Sequence, residues 1–154
     1  MTTLTLRRDQ TTDRRDLLDL FLIGDDDEQK VQAYLQTGEL YVAKDDQKIV
    51  GLALVIPGET ITSGELKNIA VLPAYQGQGI GSQLLDCVVE QLAAKYQTLL
   101  VGTGDADLAN IRFYLKNGFR FVGVRKHFFD SYAKPIVVNG IQLQDMVLLQ
   151  RPLP

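Results

Sequence analysis

The chain has 154 residues, 45% apolar and 23% charged, enough for one real core without a disulfide or a metal to staple it. A formal net charge of −3 with no Lys/Arg block argues against nucleic acid as a main partner. One cysteine, Cys87, rules out an internal disulfide, and with a single histidine, His127, it speaks against a zinc site, a Cys/His nucleophile pair or any other metal centre. The opening MTTLTLRR lacks the apolar run of a secretory leader, and no apolar stretch approaches membrane-spanning length, so a cytoplasmic location with no membrane partner is expected.

Thr3 to Arg7 alternates polar and apolar residues and predicts a first strand. Asp13 to Leu22 predicts a helix. The charge run Asp25-Asp-Asp-Glu28 reads as the N-terminus of a second helix to about Gln36, where carboxylates cap free N–H groups and suit the dipole. Glu39–Lys44 and Lys48–Val55 predict a hairpin across Asp45-Asp-Gln, and Thr60 to Leu72 a strand stopped by Pro73. A helix follows from about Gly77 to Tyr96, with Leu84, Leu85, Val88 and Leu92 on one face and Cys87 on its shoulder as a small packing residue. Thr98–Val101 predicts a buried strand, and Ala106 to Asn117 a helix with a stripe of Leu108, Ile111 and Leu115. Phe119 to Phe128 and Ile141 to Leu149 predict two last strands. Strands and helices interleave in an α+β or mixed α/β order.

Before the leucine-rich helix stands AYQGQGIGSQLL, with three glycines in five positions. Glycine costs a helix about 1 kcal/mol relative to alanine. Without a Cβ the backbone takes unusual dihedrals and lets a ligand approach, while the helix start offers unpaired N–H groups, so the stretch predicts an anion site suited to phosphate. A tight turn with no ligand is the alternative. The lysine of a P-loop is missing, and Gly77-x-Gly79-x-Gly81 does not have the spacing of a dinucleotide fold.

Three stretches in order, Asn68-Ile-Ala-Val-Leu-Pro73, Gln76-Gly-Gln-Gly79-Ile-Gly81 and Tyr114-Leu-Lys-Asn-Gly-Phe119, resemble the motifs of the GNAT superfamily of N-acetyltransferases. The loop matches the superfamily pattern Q/R-x-x-G-x-G/A at every fixed position. The resemblance covers nearly the whole chain and implies a single domain over residues 1–154. The GNAT fold it implies is a largely antiparallel sheet of about seven strands with a splayed parallel pair, flanked by about four helices. It implies acetyl-CoA as co-substrate and an amine of a small molecule or peptide as acceptor, in a small bacterial enzyme with a possible homodimeric state.

Residue by residue, the resemblance assigns Gln76, Gly77, Gln78, Gly79, Ile80, Gly81 and Ser82 to the pyrophosphate, mainly through backbone N–H groups, with the Gln78 side chain toward solvent. It assigns the backbones of Ile69, Ala70 and Val71 to the pantetheine arm. Tyr114 is cast as general acid to the departing thiolate and Asn110 as a pantetheine partner. Many relatives place that asparagine seven residues before the tyrosine, where this chain has Asp107. Glu65, eleven residues before Gln76, is the candidate general base; a solvated strand-start residue or a water chain are the open alternatives. His127 and Tyr132, with Asp130 and Asp145, are candidates for the acceptor pocket. His127 also reads as a structural residue, and the 125–140 segment as a cover for the core or a partner subunit. A non-catalytic acyl-CoA-binding sensor and a longer-chain acyltransferase are the competing functions; Tyr114 separates catalyst from binder, because a binder has no use for an acid.

Overall fold

The apolar run inside Lys48–Pro57 shows no polar alternation, so it belongs where both faces of a sheet are covered. In the computed structural model, which describes residues 4–10 and 13–154, positions 50 to 55 are all buried. The elements in chain order are β1 (Leu4–Asp9), α1 (Leu18–Gly24), α2 (Glu28–Tyr34), β2 (Glu39–Asp45), β3 (Lys48–Pro57), β4 (Ser63–Val71), α3 (Ile80–Leu92), β5 (Thr98–Gly104) and α4 (Leu108–Lys116). After them come β6 (Arg120–Arg125), β7 (Val137–Val138), β8 (Ile141–Gln142) and β9 (Met146–Pro152). Seven strands make one sheet in the order β1-β2-β3-β4-β5-β9-β6, and β7 and β8 form a separate hairpin. Every neighbouring pair of the large sheet is antiparallel except β4 and β5. This is the mixed α/β sheet with one parallel pair that the resemblance implied.

The two sheet faces have separate cores. Leu85, Val88 and Leu92 of α3 pack with Tyr114, Phe119 and Leu149 on one side, and Leu20, Phe21 and Val31 of α1 and α2 pack with Leu52 and Leu54 on the other. The α1–α2 layer is pinned by Arg14, only 8% exposed, whose guanidinium donates to the carbonyls of Leu35, Thr37 and Gly38 just past the end of α2. These are carbonyls that a helix end leaves without partners. Arg14→Ala is expected to destabilise the protein by about 1–3 kcal/mol, the cost of buried acceptors left bare. A drop in the denaturation midpoint with an unchanged slope checks it.

β4 and β5 pair only from Ser63 opposite Thr98 to Leu66 opposite Val101. Beyond that, β4 stays with β3 and β5 with β9, so the two strands diverge. The cause is an extra residue. Leu54 faces Asn68 and Val55 faces Leu66, which leaves Lys67 as a bulge in β4. After the bulge the side chains change sides: Leu66 joins the α3 core, whereas Asn68 and Ala70 face α1 and α2.

Several expected boundaries move. Thr3, the expected start of the first strand, lies outside the described residues. The first helix begins at Leu18, after a single 3-10 turn over Arg15–Leu17, instead of at Asp13. The strand expected from Thr60 begins at Ser63, because Ser63 N–H closes a turn on the Thr60 carbonyl. The long helix starts at Ile80, not Gly77, since Gly77 and Gly79 have φ of 78° and 81°, which an α-helix cannot hold. The strand expected over Ile141 to Leu149 is broken, as Gln144 and Asp145 donate their N–H groups to the Asp105 carboxylate between β8 and β9.

The face of α4 is corrected in part: Leu115 packs on the core as expected. Leu108 is 66% exposed, while Tyr114, placed off the stripe by spacing alone, is the buried residue at 5%. The first turn of α4 stands clear of the sheet, and burying the larger aromatic surface at Phe113 and Tyr114 outweighs burying Leu108.

Candidate active site

The divergence of β4 and β5 opens a cavity of about 790 Å³. Its floor is the exposed edge of β4. Leu72 N–H bonds the Val50 carbonyl, which makes Leu52 and Ala70 the next hydrogen-bonded pair. The N–H and C=O groups of Ile69 and Val71 therefore point away from β3, into the gap. The Val71 carbonyl is claimed there by Gln76 Nε2 at 2.9 Å. Ala70, by contrast, turns its backbone toward β3 and its side chain into the α1 core, so of the three β4 residues expected at the gap Ile69 presents both its backbone groups free and Val71 only its N–H.

One end of the cavity is the glycine turn. Gln76, Gly77, Gly79, Ile80, Gly81 and Ser82 line it; Gln78 does not, and its amide folds back on the Ala74 carbonyl. The first intrahelical bond of α3 is Gln83 N–H to the Gly79 carbonyl, and no side chain caps the helix. The N–H groups of Ile80, Gly81 and Ser82 thus have no helical acceptor, an arrangement that attracts an anion. The glycines serve different ends. Gly77 and Gly79 are needed for their left-handed backbone, with nothing within 4 Å of where a Cβ would stand. At Gly81 a Cβ would stand 3.1 Å from the Phe113 ring of α4, so a larger residue requires that ring to give way.

Tyr114 lines the middle of the cavity. Its hydroxyl makes no hydrogen bond to any described residue, and burial, with a smaller contribution from Asp107, raises its pKa well above the ordinary value of 10.0. It stays protonated at neutral pH and is free to donate. Its backbone is locked at the end of α4. Phe119 N–H bonds the Tyr114 carbonyl at 3.0 Å, Gly118 N–H bonds the Leu115 carbonyl, and Gly118 takes φ 89°. This is a Schellman motif, and the edge-to-face contact of Tyr114 on Phe119 at 5.5 Å is its hydrophobic clasp. Tyr114, Gly118 and Phe119 are three parts of one cap, which explains their fixed spacing.

Asn110 also lines the cavity and reaches Thr103 Oγ1 at 3.4 Å. Asp107 caps α4 by accepting from Asn110 N–H. Glu65 is not brought to the site: it lies outside the lining, paired with Arg125 Nη2 at 3.2 Å. His127 is not brought in either. Its side chain is 74% exposed and pairs with Asp130, while its backbone N–H and Lys126 bond Asp145, holding that carboxyl below its ordinary value. Tyr132 does reach the cavity.

The far end holds residues that sequence reading passed over. Asn68 Nδ2 donates to the Phe21 carbonyl and the Tyr34 hydroxyl, both at 2.9 Å, and Tyr34 donates to Asp25 Oδ2 at 3.0 Å. Tyr132 donates to Asp25 Oδ1 at 3.3 Å. Burial raises the pKa of both phenols. A Cβ on Gly24 would fall 2.1 Å from Asn68 Oδ1, so only glycine admits this network at the end of α1. The helix-cap reading of the charge run holds for Asp27, which accepts from Lys30 N–H, but Asp25 and Asp26 line the cavity. The available signal was Asn68, an amide among the apolar residues of a strand.

The sequence model of the acetyltransferase (GNAT) domain matches residues 36–121, more than half of the chain. The chain belongs to the GNAT acetyltransferase family. Among curated relatives of this GNAT protein is the uncharacterised N-acetyltransferase YvbK of Bacillus subtilis, 35% identical over 136 residues and 87% of each chain. A GNAT acetyltransferase of Elizabethkingia anophelis, solved with acetyl-CoA bound, superposes with a TM-score of 0.89 at 38% identity over 97% of this chain and 98% of that one. A Bacillus subtilis acetyltransferase solved with CoA superposes with a TM-score of 0.87 at 32% identity over 99% and 100%. No helix among the described residues of this GNAT protein is long and apolar enough to cross a membrane, and no cluster among them has the side chains to hold a metal ion.

Proposed function

We propose that the protein is an acetyl-CoA-dependent N-acetyltransferase that moves the acetyl group directly to a primary amine. The observation that carries this is one continuous cavity joining the uncapped N–H groups at the start of α3, the unpaired β4 edge, the Tyr114 hydroxyl and the far end at Asp25 and Tyr132. Its parts fit the donor in order: an anion site for a pyrophosphate, a strand edge for an amide-bearing arm, and an acid for a leaving thiolate.

Acetyl-CoA supplies the acetyl group as a thioester. The residues of the chain do the rest. Ile80, Gly81 and Ser82 N–H groups hold the anionic end. Ile69 and Val71 pair with the arm as a further strand would. Tyr114 gives its proton to sulfur as the C–S bond breaks and the amine nitrogen bonds the carbonyl carbon, and regains one from solvent. The amine loses its proton to water, because Glu65 lies outside the cavity lining and is paired with Arg125. No side-chain nucleophile takes part; Cys87 is half-buried, and burial raises its thiol.

Calorimetric titration with acetyl-CoA, followed by a thiol-release screen over amines, tests the proposal. Binding in the micromolar to millimolar range with turnover on at least one amine is expected. Absent heat defeats it, and binding without any turnover turns the reading toward a sensor. Gly79→Val, which forces a β-branched residue into the left-handed region, is expected to weaken acetyl-CoA binding by about tenfold or more, from a strain of roughly 1–2 kcal/mol together with a displaced N–H.

A further inference from the structure

The far end of the cavity has a composition of its own. Ile23, Phe129, Ile136, Val138, Leu143 and Met146 are the apolar residues of its lining. Phe128, Phe129 and Tyr132 pack on one another with ring centroids 5.1 to 5.9 Å apart and close this end. The closure is tied to α1 and α2 by the bond from Tyr132 to Asp25 and by Lys30, which donates to Ser131 and lies 4.9 Å over the Tyr132 ring.

The charged groups there are not equally engaged. Asp25, Asp26 and Lys67 line the cavity here, and Asp107, also in its lining, is engaged as the cap of α4. Asp25 accepts from two phenols. Lys67 stands 5.2 Å over the Tyr34 ring. Asp26 has no hydrogen-bond or ion-pair partner among the described residues. Asp26, itself exposed, is thus a carboxylate without a side-chain partner beside an aromatic chamber. An acceptor with one ammonium meets it. A polyamine would press its further charges against apolar walls, and an amino acid would bring a carboxylate to the same place.

Resting on the acetyltransferase reading, we infer that the acceptor is a single primary amine on an apolar or aromatic body, its ammonium drawn in by Asp26 and its body seated against Phe128, Phe129 and Tyr132. Asp26 then acts as a specificity-determining residue at the entrance, not as the base.

The full chain is saturated with acetyl-CoA, after calorimetry has established binding, and kcat/KM is measured by thiol release on matched acceptors. 2-Phenylethylamine and hexylamine represent the inferred class, putrescine and spermidine the polycations, and phenylalanine the amino acids. 2-Phenylethylamine is expected to exceed putrescine and phenylalanine by at least about tenfold. Asp26→Asn is expected to raise its KM by about 3- to 10-fold with kcat retained, Asp26→Glu to restore it, and the Asn effect to shrink at 1 M salt, as a charge contribution must and a structural one would not. A preference for putrescine, spermidine or phenylalanine overturns the inference, as does turnover of none of these amines by a protein that binds acetyl-CoA. Absent acetyl-CoA binding overturns the donor reading itself and this inference with it.

Discussion

Tyr114→Phe is expected to lower kcat and kcat/KM together by about 100-fold while leaving acetyl-CoA affinity unchanged. A general acid contributes about 10²- to 10⁴-fold, and an interaction made only in the transition state depresses both constants equally. The ring keeps its place, because the Schellman cap holds the backbone and the clasp on Phe119 needs no hydroxyl. Stability near neutral pH is expected to change by no more than about 0.5 kcal/mol, since no protein hydrogen bond is lost. Alkaline pH supplies a second readout. Burial raises the Tyr114 pKa in the folded state above the ordinary 10.0, so its contribution to stability is fully present below pH 10 and is lost as pH rises toward the folded value. The Phe variant lacks that loss and is expected to gain on the parent above pH 10. Thiol-release kinetics and denaturation at two pH values check both halves, and an unchanged kcat on a good acceptor removes Tyr114 as the acid.

Phe119→Ala is expected to cost about 3–5 kcal/mol, as deletion of a fully buried aromatic ring does. Phe119 has no exposed surface, lies within the core beneath α3 and α4, and carries the N–H that closes the Schellman motif on the Tyr114 carbonyl. Losing the ring opens a cavity beside Tyr114, so activity falls along with stability. Phe119→Leu separates the two effects: it keeps most of the apolar volume and is expected to cost less than about 1.5 kcal/mol. If kcat in Phe119→Leu still drops severalfold under conditions where the protein is fully folded, the ring also positions Tyr114. Chemical denaturation and kcat on the two variants distinguish packing from positioning.

Local chemistry made the donor half legible. Gly77 and Gly79 announced a left-handed backbone, Gly118 announced a helix end, and the polar start of α3 announced bare N–H groups, because each depends on residues within a few positions of one another. The α4 stripe was misread at Leu108 for the opposite reason. Periodicity puts Leu108 and Leu115 on one face, and only the packing shows that Leu115 joins the core beside Tyr114 while Leu108 stands exposed. Glu65 was placed by spacing along the chain, and spacing carries no information about Arg125, sixty positions on in sequence and 3.2 Å away in space.

The acceptor half shows this most fully. Asn68 on β4, Tyr34 on α2, Asp25 before it and Tyr132 after β6 meet only in the folded chain, across separations of up to 107 residues. The sequence by itself determined the family, the order of elements, the glycine turn with its bare N–H groups and the tyrosine at the end of α4, since those are written in short-range backbone requirements. Only the tertiary structure decided that the bulge falls at Lys67, that Glu65 pairs with Arg125 and His127 stays exposed outside the cavity lining, and that the aromatic trio closes the far end with Asp25 and Asp26 beside it. Those outcomes depend on long-range register and on which surfaces bury the most area, and no stretch of a few residues encodes either.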